Sequence, residues 1–300
     1  MLSLLHYVCI WAEKKKLDNM RKRSLPKQTK ERIWELDFLR AVCVMLMIFD
    51  HTMYNFAFVF GRTWFEASGS EFYYNLWQNA RTYWTSPIRE FVQPLVVIIF
   101  CSLCGISTAF SKSNLKRGIE VAVCAVLVTI VTTIMDSPIT FGILHMFAVA
   151  ILLWTLIDFI CRHDKKKTAF ACLGIGFFIV FTNMLLMPMY EANNQIFADN
   201  NDWAWVGEFL YGNPYESFSA DYQPIFPLVG YMLIGASASH VLYPNKKSLL
   251  PWLGKYDWYK PINFWGKIAL PVYVLHQVVI TVILALISFF FITKGDFVVI

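Results

Sequence analysis

One apolar stretch, LDFLRAVCVMLMIFDHTMY, carries side chains that could take part in catalysis. It runs from Leu36 to Tyr54. It contains Arg40 and, eleven residues later, His51. In an α-helix this spacing amounts to three turns plus about 20°, so both side chains project from nearly one face, about 16.5 Å apart along the axis. An ionisable group inside a membrane span costs roughly 2.5–3.5 kcal/mol. Each therefore needs a partner, a water-filled cavity or a function.

An aligned guanidinium and imidazole suit a long ligand that carries phosphates at one end, and coenzyme A is such a ligand. Its pantetheine arm is about as long as the gap, which would bring a thioester close to His51. Asp37 precedes Arg40 by three residues and is placed to hold its guanidinium. We predict that His51 takes the proton from an acceptor hydroxyl or amine. An acyl-His51 intermediate is the rival mechanism.

Three other interpretations remain open for these residues. In the first, Arg40 extends to the membrane surface and His51 belongs to a polar patch. In the second, Arg40, His51 and His145 line the route of an anion or of protons through a transporter. In the third, the chain is a non-catalytic receptor or assembly factor. Turnover of acetyl-CoA separates an acyltransferase from the last two.

The composition predicts that these residues lie on membrane helices. The chain has 300 residues, of which 57% are hydrophobic and 16% charged, whereas a soluble domain carries about 25% charged residues. Apolar stretches of about 20 residues, long enough to cross a bilayer as helices, recur seven times. They cover 38–60, 91–110, 119–135, 139–160, 168–188, 223–243 and 268–292. The sequence therefore predicts an all-α, polytopic helical bundle with about seven transmembrane helices.

The distribution of Lys and Arg predicts the orientation of these helices. Of 26 basic residues, 21 lie in alternate connecting segments, nine of them before the first span. We therefore place the N-terminus in the cytoplasm, Arg40 at the cytoplasmic end of its span and His51 towards the outside. The net charge of +5 then reflects topology and attraction to the cytoplasmic leaflet, and nucleic-acid binding is not expected.

The same pattern predicts the domain organisation. Residues 1–32 form a basic cytoplasmic segment, residues 33–292 form the transmembrane acyltransferase-like domain, and residues 293–300 form a short tail. The domain has two large outer segments, 61–90 and 189–222. No metal-binding motif occurs and none of the seven cysteines lies in an outer segment, so we expect neither a metal nor a disulfide framework. The sequence leaves open whether the chain forms a homo-oligomer.

The first span also carries a family resemblance. Its Arg-x10-His pattern resembles that of membrane acyltransferases that acetylate cell-surface polysaccharides. The wider string RIWELDFLRAVCVMLMIFDH is similar to the heparan-α-glucosaminide N-acetyltransferase catalytic-domain family, whose first span opens with Asp-x-x-Arg-Gly. In this chain Asp37 and Arg40 match, and Ala41 replaces the glycine.

Four further segments resemble that family in the same order, so that the resemblance covers roughly 32–280. They are FCSLCGISTAFSKSNLKRG, ITFGILHMFAVAILL, YQPIFPLVGYMLIGASAS and FWGKIALPVYVLHQ. Animal members place a catalytic histidine in the loop after the first span. Residues 61–90 contain no histidine, so that role cannot be transferred.

The resemblance implies transfer of an acyl group, usually acetyl, from cytoplasmic acetyl-CoA to an acceptor beyond a membrane, which we expect to be the plasma membrane. His145 lies at a depth similar to that of His51, so it is predicted to orient the base or bind the acceptor. A purely structural histidine is the alternative. His276 is predicted to line the path of the pantetheine arm, and a structural role is again the alternative. Lys267, at a cytoplasmic helix end, is a candidate phosphate contact beside Arg40, whose guanidinium Asp37 holds. An ordinary basic residue at the cytoplasmic surface is the alternative for Lys267.

Candidate acceptor-binding residues lie at the outer side. Asp50, Tyr54 and Asn55 belong to the outer turns of the first span, and Trp203 and Trp205 belong to an outer segment with six acidic and no basic residues. Aromatic faces stack on sugar rings, and carboxylates accept hydrogen bonds from sugar hydroxyls or pair with an amine. This composition favours a glycan or amino-sugar acceptor. An interfacial aromatic belt is the alternative for the tryptophans. Segment 70–86 is a candidate cap over the site.

Overall fold

The structure is a computed structural model that describes residues 32–134, 138–192, 210 and 221–292. Those residues contain helices and no strand, which confirms the predicted all-α class. The predictions for Trp203, Trp205, the N-terminal segment before residue 32 and the tail after residue 292 lie outside the described residues.

The described helices are numbered in chain order. They are α1 (Trp34–Tyr54), α2 (Gly61–Ser68), α3 (Glu71–Trp84), α4 (Pro87–Ile106), α5 (Asn114–Ile134), α6 (Ile143–Ile160), α7 (Lys165–Ala192), α8 (Ile225–Leu242), α9 (Lys260–Lys267) and α10 (Ala269–Ile287). Short π-helical segments continue α1 and α10, and a 3₁₀ turn continues α4.

Seven of these helices are long and apolar enough to cross a membrane, as the sequence predicts. The helix starts differ from the predicted ones by up to about five residues. Helix α1 begins at Trp34 rather than near residue 38, and α5 begins at Asn114 rather than near residue 119. Helix α4 begins at Pro87 rather than near residue 91, and α6 begins at Ile143 rather than near residue 139. At the start of α1, buried Glu35 accepts hydrogen bonds from the Ser248 hydroxyl at 2.8 Å and the Leu249 N–H at 2.6 Å. Since partners distant in sequence satisfy this charge, hydropathy alone placed the helix start too late.

Close backbone contacts at glycines hold α8 between α4 and α7. Gly105 of α4 lies against the Met232 carbonyl of α8, and Gly235 of α8 lies against the Ser102 backbone of α4. On the other side, a Cβ added to Gly176 of α7 would lie 2.9 Å from the Gly230 carbonyl oxygen of α8. Small residues at such positions let membrane helices approach closely. These three helices form a tightly packed frame.

Helix α1 contacts α9 near its start and α10 near its end. Near its start, Gly266 of α9 packs directly against the Asp37 backbone, and the Asn263 amide of α9 donates to the Trp34 carbonyl at 3.0 Å. Farther along, the rings of His51 and His276 bring α1 and α10 together. The predicted functional helix is thus positioned by elements more than 200 residues later in the chain.

Candidate active site

A cavity of about 280 Å³ lies beside α1 and contains His51. Residues from α1, α3, α4, α6, α10 and the segment before α8 line it. They are Cys43, Val44, Leu46, Met47, Phe49, Asp50, His51, Tyr83, Ile88, Arg89, Val92, Gln93, Val96, Val97, Phe100, Ile143, Asp221, Gln223 and Tyr273. Its volume is close to the lower end of small-molecule sites, which hold roughly 300–1,000 Å³.

The cavity divides into an apolar part and a polar part. Towards the start of α1 it is lined by Cys43, Val44, Val96 and Phe100, which are here called the apolar channel. The polar lining residues belong with His51 to the other part, here called the polar chamber: Asp50, Tyr83, Arg89, Gln93, Asp221, Gln223 and Tyr273. This arrangement suits a thin acyl chain or thioester arm whose reactive end meets charged groups.

His51 is held in one ring orientation by its own helix. Its Nδ1 lies 2.9 Å from the Met47 carbonyl oxygen, and because a carbonyl oxygen only accepts, Nδ1 carries the proton. The neutral ring therefore keeps its lone pair on Nε2. Asn55 is 1% exposed and its side-chain amide donates to the His51 carbonyl at 2.8 Å, where α1 continues into a π-helical segment. Such segments occur often at functional sites.

His276 packs against His51 from α10. The two ring centroids lie 4.8 Å apart with the ring planes at 90°. Nδ1 of His276 lies 2.6 Å from the Tyr273 carbonyl oxygen, so it too donates through Nδ1. The residue is 8% exposed, and its Nε2 has no hydrogen-bond partner within the described part of the chain. Sequence reasoning assigned His276 to the pantetheine path, and the structure places it next to the predicted base.

Asp50 connects α1 to α3 and α4. Arg89 donates to Asp50 Oδ1 through Nε at 2.8 Å and to Oδ2 through Nη2 at 3.2 Å, and the Tyr83 hydroxyl donates to Oδ1 at 3.0 Å. The Arg89 guanidinium also lies 3.5 Å from the centre of the Trp84 ring, which is cation–π geometry. Burial and then the adjacent Asp50 carboxylate raise the pKa of Tyr83 to about 12. The predicted acceptor ligand Asp50 therefore has three hydrogen bonds within the protein.

Asp221 brings a second carboxylate to the same chamber, from the segment before α8. The Tyr273 hydroxyl donates to its Oδ2 at 3.3 Å and the Gln223 amide to its Oδ1 at 3.4 Å. Burial raises the pKa of the Asp221 carboxyl, whereas the neighbouring His51 and these two hydrogen bonds lower it. Among the described residues, no lysine or arginine forms an ion pair with it.

Arg40 lies just beyond the apolar end of the cavity. Its Nη1 donates to Asp37 Oδ1 at 2.7 Å and its Nη2 to the Ser107 hydroxyl at 2.6 Å, so the predicted Asp37–Arg40 pair is present. The cavity reaches Cys43 but not Arg40. Those residues are separated by about 4.5 Å of helix rise. The apolar channel therefore lies between Arg40, which does not line the cavity, and His51, which does.

Two more cations lie near Arg40 at the end of α4. The Arg117 guanidinium donates to Cys104 Sγ at 3.3 Å, and the Lys246 ammonium donates to the Ala109 carbonyl at 2.7 Å. Both acceptors lie within three residues of Ser107 along the chain. Lys267 is exposed at the end of α9, next to the glycine that packs on Asp37. These cations give this end of α1 a basic character.

Among the predicted site residues that the structure describes, Asp50 and His51 line the cavity and the others do not. Tyr54 packs its ring against Trp84 at 5.3 Å between centroids, and its role in binding an acceptor stays a prediction. His145 uses both ring nitrogens near the start of α6: Nδ1 accepts from the Gly142 N–H at 3.2 Å, and Nε2 lies 3.1 Å from the Thr129 hydroxyl. This bonding supports the alternative of a structural histidine, and its catalytic role stays a prediction.

Sequence reasoning missed Asp221, Tyr273, Gln223, Tyr83 and Arg89 as site residues. A signal existed for Tyr273, which belongs to the segment FWGKIALPVYVLHQ that carries His276. No local signal separated Asp221 from the other acidic residues of its segment. Across the described ranges 32–134, 138–192 and 221–292, no group of three or more His, Cys, Asp or Glu side chains is arranged to hold a metal ion.

Comparison with known proteins identifies the family. Residues 70–278, more than half of the chain, match the model of the heparan-alpha-glucosaminide N-acetyltransferase catalytic domain. The matched range includes Tyr83, Arg89, Asp221 and Tyr273 and begins after α1. The chain matches none of the curated proteins and none of the solved structures with which it was compared. The chain belongs to the heparan-α-glucosaminide N-acetyltransferase catalytic-domain family, and its described part contains seven helices able to span a membrane.

Proposed function

We propose that this chain is an integral membrane acetyltransferase that uses acetyl-CoA from the cytoplasm. The observation that carries the proposal is the position of His51, which lines a cavity with an apolar channel on one side and a polar chamber on the other. Family membership supports the acetyl donor. A sugar hydroxyl or amine on the far side of the membrane is the proposed acceptor, in keeping with the family's glucosaminide substrate.

The proposed reaction transfers one proton twice. His51 Nε2 takes the proton of the acceptor O–H or N–H, while the acceptor atom attacks the thioester carbonyl. The new bond to the acyl carbon forms and the C–S bond breaks. The imidazolium then returns its proton to the departing thiolate. The ring orientation fixed by the Met47 carbonyl keeps Nε2 available in the neutral form.

The carbonyl oxygen of the thioester gains negative charge in this reaction and needs a donor. Gln93 lines the cavity, and its side-chain amide makes no hydrogen bond to any described residue. Tyr83 and Tyr273, by contrast, already donate to Asp50 and Asp221. We therefore assign the Gln93 amide to the thioester oxygen.

The basic end of α1 is the proposed site for the phosphates of acetyl-CoA. Arg40 donates to Asp37 and to Ser107, which follows the end of α4. Arg117 and Lys246 donate to Cys104 and to the Ala109 carbonyl, close to Ser107 along the chain. The planar guanidinium suits phosphate oxygens because its N–H groups can donate to two of them at once. The acyl arm would then extend along the apolar channel towards His51.

The test is acetyl transfer by the purified protein in nanodiscs. Radiolabelled acetyl-CoA is supplied with D-glucosamine for N-transfer and with N-acetylglucosamine for O-transfer. Labelled sugar and free CoA in equal amounts are the expected products. Uptake of label into sealed vesicles without CoA release would instead show a transporter and refute the proposal. Acetyl label retained on His51 after the sugar is omitted would establish the two-step mechanism.

A further inference from the structure

We infer that Asp221 is a positioning residue for the proposed base, stabilising the positive charge that His51 carries after it takes the acceptor proton. This inference rests on the proposed function. It concerns a residue of the segment before α8 that no sequence motif singled out. Three observations support it: the two side chains share one cavity, Asp221 has a supporting hydrogen-bond shell, and it has no cationic partner among the described residues.

The shared cavity brings Asp221 and His51 together. Both line the polar chamber, and each interacts electrostatically with the other. The chain of contacts runs from the Asp221 carboxylate to the Tyr273 hydroxyl at 3.3 Å, from the Tyr273 ring to the His276 ring at 5.7 Å, and from His276 to His51 at 4.8 Å. These contacts thus connect Asp221 to the His51–His276 pair.

The two carboxylates of the chamber differ in their partners. Asp50 is neutralised by a bidentate ion pair with Arg89 and by Tyr83. From the described residues, Asp221 receives two longer hydrogen bonds, both from neutral side chains. A buried carboxylate without a cation is costly unless a positive charge can appear nearby. The imidazolium of His51 is the positive charge that the proposed reaction creates in this chamber.

The nitrogen positions support the same assignment. Because Nδ1 of His51 already carries a proton, which it donates to the Met47 carbonyl, the proton taken from the acceptor lies on Nε2. The resulting imidazolium is stabilised by a nearby negative charge. The Asp50 carboxylate is paired with Arg89, so we assign this stabilisation to the Asp221 carboxylate. The titratable and charged groups that face Asp221 and His51 across the chamber are Asp50, Tyr83, Arg89, Tyr273 and His276.

The experiment measures the charge state of His51 without requiring turnover. Modification of His51 by diethyl pyrocarbonate, which attacks neutral imidazole, is followed by mass spectrometry from pH 5 to pH 9 in nanodiscs. Removal of a nearby negative charge disfavours the imidazolium, so D221N should move the midpoint of modification to lower pH, by about one pH unit. D221E should restore most of the wild-type midpoint. The double variant D50N/R89Q removes both members of the ion pair, so it is the matched control and should move the midpoint by less than half as much.

Kinetics supply the second readout. D221N should lower kcat for transfer from acetyl-CoA to D-glucosamine about 10- to 100-fold, with the KM for acetyl-CoA within about threefold. An unchanged midpoint in folded D221N, or a rise in the KM for the sugar with normal kcat, would overturn the inference. If wild-type protein does not turn over acetyl-CoA but the midpoint still shifts, the proposed function fails and the Asp221–His51 relationship stands.

Discussion

His51 of α1 and His276 of α10 meet edge to face, with ring centroids 4.8 Å apart, although 225 residues of chain separate them. Each ring is anchored by its Nδ1 proton to a backbone carbonyl of its own helix. The pair therefore fixes the distance between the first and last membrane helices at the proposed site. A change in the His276 ring should therefore alter the surroundings of the proposed base.

His51 is the first residue to test. His51→Ala should lower the rate of acetyl transfer at least 100-fold, because general-base catalysis contributes about 10²–10⁴-fold. The melting temperature and gel-filtration profile should stay close to those of the wild type. His163→Gln is the matched control, since His163 is an exposed histidine. A His51→Ala protein with more than about a tenth of wild-type activity would exclude the base.

Arg40 separates phosphate binding from chemistry. Arg40→Gln should raise the KM for acetyl-CoA about tenfold or more, since a hydrogen bond to a charged group contributes about 1.5–3 kcal/mol. The KM for acetyl-pantetheine, which has no phosphate, should not change. Lys116→Gln is the control, because Lys116 is exposed on the surface of α5. An equal rise for both donors would place Arg40 in a purely structural role.

The Asp50–Arg89 pair should connect α1 to α4 energetically. In a double-mutant cycle with Asp50→Asn and Arg89→Gln, we expect a coupling free energy of unfolding of about 0.5–3 kcal/mol. Both side chains are largely buried, at 16% and 18% exposed. The same cycle on the exposed Arg62–Glu66 pair should show no measurable coupling. Equal coupling in the two cycles would contradict the proposed contact between helices.

Tyr83 gives a prediction of pH dependence. Its pKa in the folded protein, about 12, lies above the value of about 10 for tyrosine in an unfolded chain. Its contribution to stability is therefore complete below about pH 10 and is lost as the pH rises towards 12. The difference in melting temperature between the wild type and Tyr83→Phe should be constant from pH 7 to pH 9 and should shrink above pH 10. A constant difference up to pH 12 would contradict this assignment.

The sequence predicted the seven membrane helices well because each is a run of consecutive apolar residues, which can be recognised without knowing its three-dimensional neighbours. Seven spans and the Asp37–Arg40 pair needed only the apolar periodicity and a separation of three residues. The start of α1 was misplaced because Ser248 and Leu249, more than 200 residues away, satisfy Glu35. Local hydropathy does not report such distant partners.

The chemistry of the chamber was predicted in part. His51 was found because an ionisable side chain in an apolar helix is costly. The three-dimensional partners of that residue were not found, because Asp221 and Tyr273 come from a connecting segment and a different helix. His145 was assigned by its depth alone, and depth does not show that Gly142 and Thr129 already engage both nitrogens. Membership of the matched family supports the transferase class.

The glycine contacts that lock α8 to α4 and α7 have a consequence for how a bulky donor gains access. Backbones in direct contact slide past each other only at a large steric cost, so α4, α7 and α8 should keep their relative positions. Beside the cavity, α1 and α10 meet instead through the side chains of His51 and His276, a contact that can separate without one backbone moving past another. We expect the seam between the first and last membrane helices to widen when acetyl-CoA arrives.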